Sequence, residues 1–211
     1  MSGSSLSARD LFEWDLSVYD PAYGRPAEFG EIARGSGRAL SERSLHRVWG
    51  AENLLDKAVK ASISGDLERV DRLVERAAAM PYDGREEGWP GVQGASQLVY
   101  GIVYERFGAS VEGESDWLEV ALEAHDRVTG PGKAHLASVI NGYALQDAIF
   151  DLTPAERRRI RSAVGGAPLE AELGAGPDLT LEGRCEIVRS LVEVAVVLRL
   201  GYDARAGAPI A

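Results

Sequence analysis

The sequence predicts an all-α fold: an irregular bundle of antiparallel helical hairpins, helical-repeat-like, with about seven to eight helices. Three observations carry that expectation. Apolar residues recur at helical spacing through most of the chain after residue 38. No run of alternating strand residues stands out. Helix start and stop signals, among them Asp66, Thr153-Pro154 and Gly165-Gly166, punctuate the periodic stretches.

At 211 residues the chain suits one large domain. A chain of that size buries roughly two thirds of its unfolded surface, so no disulfide or metal staple is needed. The expected organisation is an N-terminal arm over 1–37 packing on the body, a single all-α domain over 38–201, and a C-terminal tail over 202–211. Leu11, Phe12, Trp14, Tyr19, Tyr23 and Phe29 give the arm apolar anchors that a purely solvated tail lacks.

From Arg38, the residues Leu45, Val48, Trp49, Leu55 and Val59 fall near one helical face, with Gly50 as a potential bend. Asp66 reads as the N-cap of a helix carrying Leu67, Val70, Leu73, Val74 and Ala77. That helix stops by Met80, because Pro81 disfavours the α conformation in its predecessor. A third helix, about 91–107, carries Val92, Ala95, Leu98, Val99, Ile102 and Val103, with Gly108 at its end. Asp116 with Glu119 resembles a capping box for the next helix. The run "TGPG" (129–132) is expected to end it, and 133–150 to return. "TPAE" (153–156) combines an N-cap, a proline at the first helical position and a reciprocal glutamate, and Gly165-Gly166 closes that helix. The stretch 181–200 contains "LVEVAVVLRL", apolar nearly all round, which fits a buried central helix ending at Gly201.

Paired in order, these helices give hairpins over about 67–107, 116–150 and 154–200. Their length is that of helical-hairpin repeats. The tetratricopeptide pattern Trp-x2-Leu-Gly-x2-Tyr is missing from all three, however, and the loops vary in length. An irregular bundle is therefore expected.

The formal net charge is −10, with a pI near 4.9. That field repels a phosphate backbone, so nucleic acid is not an expected partner. The exception is "ERRRIR" (156–161), whose arginines spread around a helix and solvate it. No stretch reaches the roughly 18–20 apolar residues that a membrane span needs. The N-terminus lacks a basic region followed by an apolar one. The single Cys185 excludes an intrachain disulfide. A cytoplasmic protein is the expectation, and enrichment in Ala, Gly, Arg and Val fits a GC-rich bacterial genome.

Phosphate-binding, dinucleotide-binding, metalloprotease and nucleophile-elbow motifs are all missing, and no cofactor is expected. No motif assigns a reaction, so the sequence leaves enzyme activity open. Cys185, near a helix start, invites a lowered pKa, although a small buried hydrophobe is the simpler reading. His125 and His135 flank a tight connection, with Glu123 and Asp126 nearby. Two imidazoles and a carboxylate can hold a metal or move protons. A histidine at a helix C-terminus also has a plain electrostatic reason to be there. His46 stands alone. Tyr100, Tyr104, Asn141, Tyr143, Gln146 and Asp147 put polar groups on two adjacent helices, as a small-molecule pocket would. In that reading His135, Asp147 and Tyr104 are the candidate catalytic groups.

The connection 81–90 carries Tyr82 and Trp89, which either fold back to fix the hairpin or offer a contact surface. The leading expectation is a protein-binding or scaffolding module that engages a protein partner or itself, with neither nucleic acid nor membrane. Its binding candidates are Tyr82, Trp89, Tyr100, Asn141 and Tyr143. The alternative is a small-molecule binder or enzyme with a pocket between helices 91–107 and 133–150.

Overall fold

A computed structural model of the chain describes residues 42–82, 88–109, 116–145, 152–165 and 178–206. These residues form seven helices: α1 (Glu42–Ile63), α2 (Leu67–Ala78), α3 (Pro90–Ala109), α4 (Asp116–Arg127), α5 (Gly130–Leu145), α6 (Pro154–Val164) and α7 (Leu181–Arg205). No strand occurs among the described residues, so the fold is an all-α bundle. The arm over 1–37 and the last residues of the tail lie outside the described residues.

Local chemistry sets the helix ends. The α1–α2 turn passes through Gly65 at φ 81°, a conformation that L side chains rarely adopt. Asp66 then caps α2, its carboxylate accepting from the Arg69 N–H at 3.1 Å. Thr153 and Glu156 form a reciprocal capping box at α6. The Glu156 N–H donates to Thr153 Oγ1 at 3.3 Å and the Thr153 N–H donates to Glu156 Oε2 at 2.7 Å. Thr180 Oγ1 accepts from the Gly183 N–H at 3.1 Å and starts α7.

Packing order differs from chain order. α7 is the central element and meets α1, α2, α3, α4 and α5. Val188, Leu191, Val194, Ala195 and Leu198 on it are wholly buried. α1 lies most extensively against α3 and α2, whereas α6 packs chiefly on α5. Of the hairpins read in sequence order, α2–α3 and α4–α5 pack as pairs, whereas α6 lies on α5 and not chiefly on α7, so the 154–200 hairpin does not form as expected. The apolar residues of α7 cover most of its circumference and meet neighbours there, while Glu186, Arg189 and Glu193 keep a polar face exposed.

Two element boundaries also differ from expectation. α7 does not stop at Gly201 but runs to Arg205, burying Tyr202, whose hydroxyl donates to the Trp117 carbonyl at 3.3 Å. A Cβ at Gly201 would lie 2.7 Å from Val120 Cγ1, so this glycine serves the close approach of α4 to α7. α5 begins at Gly130, and Pro131 and Gly132 belong to its first turn. Gly132 is seated on α7, its N–H donating to Ser190 Oγ at 2.8 Å. "TGPG" thus opens a helix, with proline where its missing N–H costs nothing.

A similar close approach joins α1 and α3. A Cβ at Gly94 would lie 2.7 Å from both Ala51 Cβ and the Glu52 nitrogen. Ion pairs tie the outer surfaces, including Arg199 to Asp56 at 2.6 Å and Arg205 to Glu123 at 2.9 Å. Burial pushes the Asp56 carboxyl up, but the hydrogen bonds and charges of Lys60 and Arg199 outweigh it and hold the group below its ordinary value. None of the described helices is long and apolar enough to cross a membrane.

Candidate functional site

At one end of the bundle α2 finishes while α3 and α7 begin. Pro81 follows the end of α2 and Pro90 opens α3, so the chain leaves one helix and re-enters another within a short span. Tyr82 and Trp89 meet across this connection, their ring centroids 5.4 Å apart and their planes tilted by 42°. The Arg184 guanidinium lies over Trp89, 3.6 Å from the ring centroid. Its Nε donates to the Ala78 carbonyl at 2.8 Å and its Nη1 to the Leu179 carbonyl at 2.6 Å.

One side chain thus joins the end of α2, the approach to α3 and the start of α7. Trp89 is half-buried and packs on the core, as does Leu179. Pro81 is exposed, Tyr82 is half-buried, and Leu181 at the first position of α7 is 48% exposed. Residues 83–87 lie outside the described residues.

Sequence reasoning missed Arg184. A signal was present: a cation in the first turn of a helix sits at the positive end of the macrodipole, where it is disfavoured. A residue placed against that field is held by something else, here an aromatic face and two carbonyls.

The second polar group lies between α3 and α5. His135 is buried at 4% exposure, and its Nε2 shares a hydrogen bond of 3.2 Å with Ser96 Oγ. Tyr100 meets the imidazole edge-on, with centroids 5.5 Å apart and planes at 75°. Burial pushes the His135 pKa down to about 4, with the Ser96 contact working the other way, so the ring is neutral near pH 7. A hydroxyl beside an imidazole is the arrangement of an activated nucleophile, but a base this weak removes protons poorly.

Tyr100, Ser138 and Asn141 each have interactions of their own. Ser96 was not singled out in the sequence, although it and Tyr100 are four apart on one helical face. The side chains of Tyr104 and Tyr143, and residues Gln146 and Asp147, lie outside the described residues, as does the side chain of His46.

His125 occupies a different neighbourhood. It is buried at 7% exposure, and its Nδ1 has no hydrogen-bond partner. The nearest carboxylate, Asp126, is 3.7 Å away, beyond hydrogen-bond reach. Burial lowers its pKa and the Lys133 charge adds to that, while Asp126 opposes both. Among the described residues no three His, Cys, Asp or Glu side chains gather in a way that could hold a metal ion.

Cys185 is half-buried, and burial with the Glu75 charge pushes its thiol up, Arg189 and Arg184 notwithstanding. The helix start therefore does not make it a reactive thiolate. In the arginine run, Arg159 pairs with Glu119 and Arg157 Nε donates to the Leu152 carbonyl at 3.1 Å, while Arg158 and Arg161 are exposed. The run spreads around α6, and Arg159 ties it to α4.

Comparison with models of protein families, with curated proteins and with solved structures finds no match to this chain.

Proposed function

We propose that this chain is a cytoplasmic protein-binding module that engages a protein partner, or a second copy, through the end of the bundle formed by Tyr82, Trp89, Arg184 and Leu181. One observation carries the reading. An aromatic pair and an arginine are locked together there, with exposed Pro81 and Leu181 beside them. Tryptophan, tyrosine and arginine dominate the binding energy of protein interfaces. Side chains already fixed in the free protein also lose little entropy on docking. The net charge of −10 and the single cysteine agree with a soluble binding role in a reducing compartment. The polar groups between α3 and α5 support this reading over a pocket, because Ser96, His135 and Tyr100 face one another.

The test compares the purified wild type with Leu181→Asp and with a control change at exposed Lys57. An aspartate in the first turn of α7 is compatible with the helix dipole, so the fold is retained. Self-association is read by sedimentation, and partner recovery from the source cells by quantitative mass spectrometry. Loss confined to Leu181→Asp supports the proposal, and equal behaviour of all three proteins overturns it.

A further inference from the structure

Both histidines whose side chains are described are buried, and both belong to the α4–α5 hairpin. His125 sits in the last turn of α4 with an orphaned Nδ1, and His135 lies in α5 against Ser96 and Tyr100 of α3. An unpaired buried polar atom costs free energy that a well-formed core avoids. Charging a buried imidazole costs more still, and at His125 the Asp126 carboxylate 3.7 Å away offsets only part of that cost.

The hairpin is fastened mainly on α7 and only lightly on α3. Its contacts with α3 are few beside those that α3 makes with α1 and α7. Its turn is held on α7 by Ser190, whose Oγ accepts from the Gly132 N–H at 2.8 Å and donates to the Thr129 carbonyl at 3.4 Å.

We propose that the α4–α5 hairpin is an acid-sensitive joint: His125 and His135, neutral and buried in the closed bundle, loosen it from α3 when they take up protons. Asp126 and Glu123 on α4, Lys133 on α5 and Tyr100 on α3 stand nearest, and Arg205 of α7 pairs with Glu123 at 2.9 Å. Arg159 of α6 pairs with Glu119 one turn earlier.

Lys133 repels a proton on His125, and only Asp126 favours one. For His135 burial dominates. Both rings therefore bind protons less readily in the closed form than in the open one. Closure is complete above the ordinary value of 6.5 and weakens as pH falls toward about 4. The carboxylates of Asp56 and Glu119 act lower, because Lys60 and Arg199 outweigh burial at Asp56, and the Arg159 hydrogen bond holds Glu119 below its ordinary value. Among the described groups with a shifted pKa, the histidines act in the interval above them.

The test is amide hydrogen exchange on the full chain at about pH 7 and about pH 5, corrected for intrinsic rates. It is paired with imidazole titration by NMR, with His46→Gln assigning the third ring. The expected result is a loss of protection of roughly tenfold or more over 124–140 relative to 51–61, with both hairpin rings titrating below 6.5. The His125→Gln/His135→Gln double variant should lack the pH-dependent step. Uniform loss across α1 and the hairpin overturns the proposal. So does a titration midpoint at or above 6.5 for either ring, or an unchanged step in the double variant. If that variant does not fold, the wild-type titration and exchange pattern decide alone.

Discussion

Replacing Arg184 with alanine removes three contacts in one step. The guanidinium leaves the Trp89 face, a stacked cation worth about 0.5–1 kcal/mol at an exposed site and more where water is excluded. It also abandons the carbonyls of Ala78 and Leu179, bonded at 2.8 Å and 2.6 Å. A hydrogen bond involving a charged group contributes about 1.5–3 kcal/mol, less where water can replace the donor. Both carbonyls lie near helix ends that solvent can reach, so the lower part of the range applies. The expected destabilisation is about 2–4 kcal/mol.

Lysine restores the charge but cannot bond two carbonyls while stacking flat on the indole, so Arg184→Lys should recover less than half of the loss. Urea unfolding followed by tryptophan fluorescence measures both variants, provided the slope is unchanged. A double-mutant cycle with Trp89→Leu should show coupling of about 1 kcal/mol. An Arg184→Ala cost under about 0.5 kcal/mol, the range of an ordinary surface change, would refute the clamp.

Three further outcomes follow from the packing. Gly50→Ala, where an added Cβ meets nothing within 4 Å, should stabilise α1 by about 0.5–1 kcal/mol. Gly94→Ala, whose Cβ meets α1 backbone at 2.7 Å, should cost about 1–3 kcal/mol, and thermal unfolding of the pair gives opposite signs. Tyr202→Ala should cost about 3–5 kcal/mol by urea unfolding, because the ring is buried beyond Gly201, and a negligible cost would mean that α7 ends earlier. Stability should be full above pH 6.5 and fall toward pH 4 by up to about 3 kcal/mol from His135 alone, with His135→Gln flattening the curve.

The fold class was legible because it rests on periodicity and caps. Asp66, Thr153 with Glu156, and Gly165 each act locally, and each forms the helix end that the sequence predicts. Packing order was not legible in the same way. Which helix lies at the centre depends on how many neighbours an apolar face can find, and only the nearly all-round apolar run in α7 hinted at it. Gly201 and "TGPG" misled for a related reason. A glycine at a helix end and a glycine at a helix crossing look alike in sequence, and only Val120 and Ser190 across the interface tell them apart.

At the candidate site, Tyr82 and Trp89 stood out through their composition. Arg184 lies 95 residues from Trp89, so nothing local linked the two. The Ser96–His135 bond is likewise long-range, joining residues 39 apart.

The measurement closest to the central claim is sedimentation of the wild type and Leu181→Asp, alone and with recovered partner, on samples whose unfolding midpoints are matched. The account predicts association in the wild type and its loss in Leu181→Asp, with stability changed by no more than about 0.5 kcal/mol. Association that survives Leu181→Asp at full strength, or a wild type that associates with nothing, would contradict it.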